Sequence, residues 1–593
     1  MTDDEILALA RERFQIIATA EYEIREAALE DLKFTYNVDE GQWDAATRAE
    51  RQKDGRPCLT ANLLRKFVAI VANQERENRI AGKVRPVDDA GDPETAAIIE
   101  DLVRHIEYQS NAEVIYASAG ERAAAGGYAY WRILAEYADD GFDQELRLKK
   151  IANPFSVYLD PRRMYGFVTE MLPEAEFRAQ YPDADPVDVD WQSRGESWTL
   201  WYEPKKVRVA EYFYKEPVTR AIAQVKRADG AVEIIDAPKG ATKGDVLVDA
   251  AGAPVFEVLK TRTVETHVVR WCKLTGHQVL AKRDWPGREI PIIEVVGDEV
   301  DVDGKVYKRS LIRDGKDPQR QYNYWLTAAT EQVALAPKAP YIVKAQEVSG
   351  YENEWADANR KNLPYLRFNP QGGNERPRRE APPQMSSGFQ QMLQLSATNV
   401  KDTLGMFESF LGEPSNERSG RAIGMRERRG QIGTFHFPDN LRRAVIETVK
   451  QLIDLIPRIY DTERVVRLRN EKGEERRVTL NQTIAVPPEA GGGTTILHDL
   501  SRGKYDVVAD VRTYSTRRQE NVELLTQSIQ YAPIAAPALL PLLFENVDSE
   551  IAAKVEQAVE KMLGLVQQGA LSPNGQATRM PAMAGNGAGM PTP

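Results

Sequence analysis

The chain opens with apolar residues at helical spacing. Over residues 1–35, Ile6, Phe14 and Ile17 fall on one face, and the segment LTANLLRKFVAIVANQ repeats this pattern. Because a period of 3.6 residues is that of the α-helix, both segments predict amphipathic helices. Residues 93–125 continue the helical pattern up to a Gly-Gly pair.

The pattern changes to alternation after that Gly-Gly pair. YAYWRILAEY and QELRLKKI flank an Asp-Gly turn, and VETHVVRWCKL and QVLAKR flank Thr275-Gly276. Alternating segments on either side of a turn-forming pair predict β-hairpins. Residues 128–310 are therefore expected to be largely β, with one helix near 173–181.

Helical spacing returns at 315–335 and 386–411, on either side of an insert that is rich in proline and arginine. YIVKA and YLRFNP are candidate strands within this insert. A long amphipathic helix follows Pro438, and then come a hairpin (RVVRLRN, RRVTL), the strand YDVVADV and helices over 516–568. The last residues, 569–593, are biased towards Gly, Ala, Pro and Met, which predicts a disordered tail.

The order of these elements predicts an α+β protein with a discontinuous layout. A helix–β unit comes first and a helix–insert–helix unit second, and the later helices and strands are candidates to complete the first unit. With 593 residues, the chain is too long for one core, and three or more domains are expected.

Composition and charge restrict the class of protein. The chain has a net charge of −11 and 42% apolar residues, no run long enough to span a bilayer, and an acidic N-terminus unlike a signal peptide. We expect no membrane contact and a cytoplasmic origin. The negative charge also argues against tight binding of nucleic acid, which needs many Lys and Arg contacts to phosphates. A protein that surrounds DNA without gripping it remains compatible with this charge.

Motifs for catalysis are absent from the sequence. KGATKGDV lacks the glycine spacing of a phosphate-binding loop, and the calcium-loop-like EVDVDG has Ser310 where a bidentate glutamate is needed. We therefore expect no catalytic residue, metal or cofactor. A two-metal nuclease built from scattered carboxylates stays open as an alternative.

Aromatic residues cluster in the β-rich region. Such strands are either base-stacking platforms or a β core, and we favour the core because the aromatics alternate with charged residues. The residues concerned are Trp191, Trp198, Trp201, Tyr202, Tyr212, Phe213 and Tyr214.

One short basic stretch stands out against the acidic background. ERSGRAIGMRERRG, residues 417–430, holds five arginines and three glycines between two helical segments. A continuous helix disfavours three glycines, since each costs up to about 1 kcal/mol relative to alanine. The stretch is therefore expected to contain a bend.

Several sequence segments together resemble portal proteins of short-tailed bacteriophages. They are GQWDAATRAERQKDGRPCLTANLLRKFVAIVANQ, NPFSVYLDP, GKVYKRSLIRDGKDPQRQYNYW followed by APKAPYIV, ERSGRAIGMRERRGQ followed by FPDNLRRAV, and KYDVVADVRTYSTRRQE. Each segment is a weak motif, but their order and spacing along nearly the whole chain are specific.

The resemblance implies a non-enzymatic subunit of a ring of about twelve copies at one capsid vertex, assembled in the host cytoplasm. Double-stranded DNA passes weakly and non-specifically through its channel during packaging and ejection. The implied partners are the terminase large subunit, the tail adaptor or head-completion proteins, and the major capsid and scaffolding proteins.

The resemblance also assigns parts of the portal fold to the chain. They are a wing (1–312 and 440–514), stem helices (313–336 and 386–411), a clip (337–385), a channel loop with a kinked helix (412–439), a helical crown (515–568) and a disordered tail (569–593). We expect no long C-terminal helical barrel of the kind that some members carry, because the sequence ends soon after residue 568.

Three groups of candidate site residues follow from that assignment. The channel residues expected to face DNA are Asn416, Arg418, Ser419 and Arg421. The hinge candidates are Gly420, Gly424 and Pro438. The clip arginines Arg376, Arg378 and Arg379 are candidates for docking terminase or an adaptor, and intersubunit ion pairing within the clip is an equal alternative.

Two other classes of protein are weighed against a portal. The first is a DNA-processing enzyme or accessory packaging factor that acts on DNA ends, against which the absence of a phosphate-binding loop speaks. The second is another ring-forming virion protein such as an adaptor, and adaptors are usually much shorter.

Overall fold

The computed structural model describes most of the chain up to residue 545. It leaves out 78–79, 88–91, 139–140, 186–200, 228–231, 239, 249–253, 336–340, 359–360, 362, 371–376, 380–386, 407–431, 470–474, 486–493, 501–502, 504, 512–515, 532–535 and 546–593.

The described helices begin and end as follows: α1 (Asp3–Ala20), α2 (Tyr22–Tyr36), α3 (Ala45–Lys53), α4 (Leu64–Glu77), α5 (Pro93–Gln109), α6 (Ala112–Gly126), α7 (Glu174–Gln180), α8 (Lys316–Leu335), α9 (Ala345–Val348), α10 (Glu352–Asp357), α11 (Ser387–Thr403), α12 (His436–Ile459), α13 (Thr516–Tyr531) and α14 (Ala536–Glu545).

The described strands are β1 (Ile80–Pro86), β2 (Tyr128–Tyr137), β3 (Gln144–Lys150), β4 (Val157–Leu159), β5 (Tyr165–Pro173), β6 (Tyr202–Glu203), β7 (Lys206–Arg227), β8 (Val232–Asp236), β9 (Val246–Val248), β10 (Pro254–Leu274), β11 (Val279–Asp284), β12 (Ile292–Val296), β13 (Asp298–Val302), β14 (Lys305–Arg309), β15 (Tyr341–Ile342), β16 (Arg378–Arg379), β17 (Arg464–Arg469), β18 (Glu475–Leu480), β19 (Gln482–Ala485), β20 (Thr494–Leu497) and β21 (Tyr505–Val511).

The chain divides into two compact units. The first unit comprises residues 1–76 and 82–510, and the second comprises 77–81 and 511–593. In the second unit, α13 packs against α14. The mixture of helices and antiparallel sheets agrees with the predicted α+β class.

A large antiparallel sheet dominates the first unit. Its strands follow the order β11-β10-β7-β5-β4, and the short strands β6, β8 and β9 pair at its margins. Phe14 of α1 lies against this sheet, with its ring centroid 5.2 Å from that of Phe167. The sheet therefore gains a buried face from the first helix of the chain.

The clustered aromatic residues belong to this core where the structure describes them. Trp201, Tyr212, Phe213 and Tyr214 are all buried. The Phe167 and Tyr212 rings stack at 4.5 Å. The core interpretation is thus confirmed for these four residues. Trp191, Trp198 and the side chain of Tyr202 lie outside the described part of the structure.

A second core joins distant parts of the sequence. Phe34, Leu64 and Phe67 from the first helices pack with Val400 of α11 and Phe437 of α12. Further along α12, Thr448 accepts a hydrogen bond from the Trp131 indole N–H at 3.0 Å. Helices α11 and α12 therefore pack against elements from the first part of the chain.

Four sequence expectations about local structure are corrected. YLRFNP forms no strand, and the insert instead contains the short helices α9 and α10. α11 ends at Thr403 rather than at 411, because Gly405 adopts the left-handed conformation that ends helices (φ +65°). The long helix α12 starts at His436, before Pro438. The hairpin of β19 and β20 was not anticipated.

Candidate functional site

Helices α8 and α11 form an antiparallel hairpin that brackets the insert. Phe389, near the start of α11, contacts Trp325 in the middle of α8, with ring centroids 5.7 Å apart. At the other end, a Cβ on Gly315 would lie 3.0 Å from side-chain atoms of both Leu404 and Leu64. A Cβ at position 315 would therefore require these two leucine side chains to shift by a few tenths of an ångström.

The base of the hairpin is also held by a buried carboxylate. Asp31 of α2 has no exposed surface. Its Oδ2 atom lies 2.6 Å from Nη2 of Arg313, and its Oδ1 atom lies 2.5 Å from Nζ of Lys316. Ser310 Oγ donates to the same carboxylate at 2.7 Å. These contacts fix the first turn of α8 to the N-terminal helices.

One face of α8 carries buried polar residues at every fourth position. This polar ladder consists of Gln319, Asn323, Thr327 and Glu331, and all four side chains are buried. Residues spaced by four share one helix face. The extended segment 57–63, here called the strap, runs along this face and is held to it by hydrogen bonds.

Each step of the polar ladder matches two residues of the strap. A helix rises about 6 Å over four residues and an extended chain rises about 6.6 Å over two, so the two repeats stay nearly in phase. The strap N–H groups donate as follows: Leu63 to Gln319 Oε1 at 3.1 Å, Ala61 to Asn323 Oδ1 at 3.1 Å and Leu59 to Thr327 Oγ1 at 3.1 Å.

The far end of the ladder is charged. Glu331 forms ion pairs with Arg51 and with Arg56, the latter at 2.8 Å. Arg51 also donates to the Pro57 carbonyl at 3.1 Å. The hydrogen bond to Glu331 raises the pKa of Arg56. The main chain of the strap thus bonds to side chains of a helix and not to a neighbouring strand. The even spacing of polar residues on α8 did not by itself predict this arrangement.

The insert contains its own small network of contacts. Tyr341 of β15 meets the Trp355 ring at 5.2 Å, and the Trp355 indole donates to the Arg367 carbonyl at 2.7 Å. Arg367 Nε in turn donates to Glu354 Oε1 at 3.0 Å. These contacts give the insert a defined structure at the end of the hairpin opposite its packed base.

The clip candidates fall partly within the described residues. Arg378 and Arg379 form β16, which pairs with β15, and both are exposed. The Arg379 guanidinium lies over the Tyr341 ring, 5.2 Å from its centroid. Arg376 lies outside the described residues.

The channel candidates and most hinge candidates also lie outside the described residues. These are Asn416, Arg418, Ser419, Gly420, Arg421 and Gly424. Pro438 is described and lies in the first turn of α12, where a missing N–H breaks no hydrogen bond of the helix.

Comparison with known proteins identifies the class to which this architecture belongs. The family model described as "Phage P22-like portal protein" matches residues 11–591. The chain therefore belongs to the P22-like portal protein family, whose members are structural, non-enzymatic components of the phage capsid.

A curated relative agrees with this family. The chain is 22% identical over 582 residues to the protein named "Portal protein" from Acyrthosiphon pisum secondary endosymbiont phage 1, covering 93% of this chain and 79% of the relative. The alternative of a DNA-processing enzyme is thereby excluded. In the part of the chain that the structure describes, no helix is long and apolar enough to cross a membrane.

Proposed function

We propose that about twelve copies of this chain form a ring at one capsid vertex, assembled in the host cytoplasm with scaffolding and major capsid proteins. The ring is the channel through which DNA is packaged and later ejected. The observation that carries the proposal is the antiparallel α8–α11 hairpin with a small folded insert, in a chain matched by the portal family over 11–591. In this account the hairpin is the stem and the insert is the clip.

The channel loop over 412–421 follows the stem in sequence, and Asn416, Arg418, Ser419 and Arg421 face the DNA. Since each copy adds a charge of −11, the ring as a whole repels phosphates. A few arginines per copy then give weak contacts that the duplex can leave easily, whereas a continuous basic lining would hold it. Gly420, Gly424 and Pro438 allow the bend towards α12, and helices over 515–568 form the crown.

The clip is the docking surface for the terminase large subunit and afterwards for tail adaptor proteins. Its exposed arginines support this role, because exposed Arg side chains bind carboxylates of a partner in bidentate geometry. The competing role, ion pairing between neighbouring clips, uses the same side chains within the ring.

Charge reversal separates these two roles. We expect Arg376→Glu, Arg378→Glu and Arg379→Glu, combined in one chain, to abolish terminase-driven packaging while rings still form in electron micrographs. The control is Lys361→Glu, which reverses another exposed cation of the insert, breaks only a surface pair with Asp357 and should leave packaging unchanged. Loss of rings in the triple variant would contradict docking and support ion pairing between clips.

A further inference from the structure

The longest strands of the protein form a ribbon with an uneven edge. β7 and β10 pair in antiparallel orientation. Ala210 lies opposite Leu274 at one end of the ribbon, and Arg227 lies opposite Phe256 at the other. On the outer side of β10, β11 covers residues 270–274 and β9 covers residues 254–257. Between these two strands, no described residue pairs with the outer side of residues 260–268, which are bonded to β7 on their other side. This gap is here called the notch.

The direction of the free main-chain groups follows from their neighbours. The Val269 carbonyl accepts from Trp285 N–H across the outer side of β10. Because alternate residues of a strand point their N–H and C=O to the same side, Thr261, Thr263, Glu265 and His267 also point outwards. In the described part of the chain, no hydrogen bond reaches these groups, so the notch is an open template for another strand.

The opposite edge of the ribbon is protected, but the notch is not. On β7, the free stretch between β5 and β8 contains Pro217, which lies opposite His267. Lys215 and Ala221 bond outwards on this side, so Pro217 faces outwards too and offers no N–H. The notch has the sequence KTRTVETHV, with no proline and many β-branched residues. Such an edge is normally covered.

The side chains of the notch favour an acidic partner. Lys260 and Arg262 lie on the same face of β10 and are exposed, and no described ion pair involves either of them. β13 of the same protein, DEVDV, has the complementary pattern with exposed Glu299 and Asp301. β13 pairs only with β14 in the described residues, so its other edge is open.

We propose that the notch of one subunit receives β13 of a second copy. This inference rests on the proposed ring. A parallel arrangement with Lys260 beside Glu299 and Arg262 beside Asp301 brings opposite charges together on one face. Thr261 then bonds with the main-chain groups of Glu299 and Asp301.

The turn after β13 supports that arrangement. Asp303 and Gly304 both have positive φ, which is typical of a two-residue type I′ turn. In such a hairpin Val302 and Lys305 bond to each other, so the alternate residues Glu299 and Asp301 direct their main-chain groups away from β14.

A second copy also fits the dimensions and symmetry. β9 and β11 limit the length of the notch to about nine residues. β7 of another copy, with 22 residues, is too long to enter it, whereas β13, with five residues, fits. The contact joins two different surfaces, one on each partner. Contacts of this kind form a ring when the rotation between copies closes, whereas self-complementary contacts stop at dimers.

The first test places proline on each edge of the ribbon. Thr263→Pro removes an outward N–H from the notch, and Thr219→Pro does the same on the protected edge, as the matched control. By mass photometry, we expect Thr263→Pro to raise the concentration for half-assembly at least about tenfold, since each hydrogen bond recurs around the ring. Thr219→Pro should assemble like the unmodified protein.

The second test exchanges charges. Lys260→Glu with Arg262→Glu should weaken assembly, and adding Glu299→Lys with Asp301→Lys in the same chain should restore it. Circular dichroism of the monomers checks that all variants fold. Normal rings from Thr263→Pro, or no recovery in the fourfold variant, would overturn the inference. Failure of the unmodified protein to form rings would instead contradict the proposed function.

Discussion

Asp31 shows how a single residue fixes the base of the α8–α11 hairpin. Its carboxylate is fully buried and contacts Ser310, Arg313 and Lys316. A buried charge is stable only when it is paired and hydrogen-bonded. Removing one partner leaves the other charge buried without compensation. Lys316 is itself buried, so it would lose its closest counter-charge without Asp31.

We therefore predict that Asp31→Asn destabilises the base of the hairpin. The free energy of unfolding of this region should fall by about 3 kcal/mol, the scale of a broken buried ion pair. Thermal unfolding followed by circular dichroism measures the change. The control is Asp317→Asn, which removes a carboxylate that is 89% exposed from the first turn of α8, next to Lys316. Equal midpoints for the two variants would contradict the role of Asp31.

The polar ladder acts at the scale of whole elements, because it joins a helix to an extended segment. Thr327 and Thr330 provide a matched pair on α8. Both hydroxyls donate to the carbonyl four residues earlier at 2.8 Å. Only Thr327 also accepts from the Leu59 N–H of the strap.

We predict that Thr327→Ala loosens the strap and that Thr330→Ala does not. Loss of the acceptor leaves the Leu59 N–H unsatisfied, at a cost of about 1–3 kcal/mol. Hydrogen–deuterium exchange should then accelerate about five- to tenfold or more over 59–63 in Thr327→Ala. Unchanged exchange in these residues would show that the ladder does not hold the strap.

Elements with a clear hydrophobic period were predictable from the sequence. The hairpin β2–β3 and helix α8 lie where the pattern placed them. The hydrophobic pattern did not predict the strands β19 and β20. It also predicted that α11 extends beyond Gly405, because the spacing of apolar residues does not show where the backbone conformation changes. The ladder was missed for another reason: its polar residues look like a solvent-exposed helix face until the strap covers them.

At the scale of the whole molecule, order and spacing of short motifs indicated the family, and the match over residues 11–591 confirmed it. Composition contributed mainly exclusions. Arg418 and Arg421 lie outside the described residues, so their role in the channel stays a prediction. A ring interface is a property of several chains, and a single sequence contains only its complementary halves, which we propose to be KTRTV and DEVDV here.

The central claim is that this chain assembles into a channel-forming ring. Electron microscopy of the purified full-length protein tests it most directly, with classification of end-on views by rotational symmetry. We predict closed rings of about twelve copies with a central hole wide enough for duplex DNA. A population of monomers or closed dimers, or rings without a hole of this width, would contradict it.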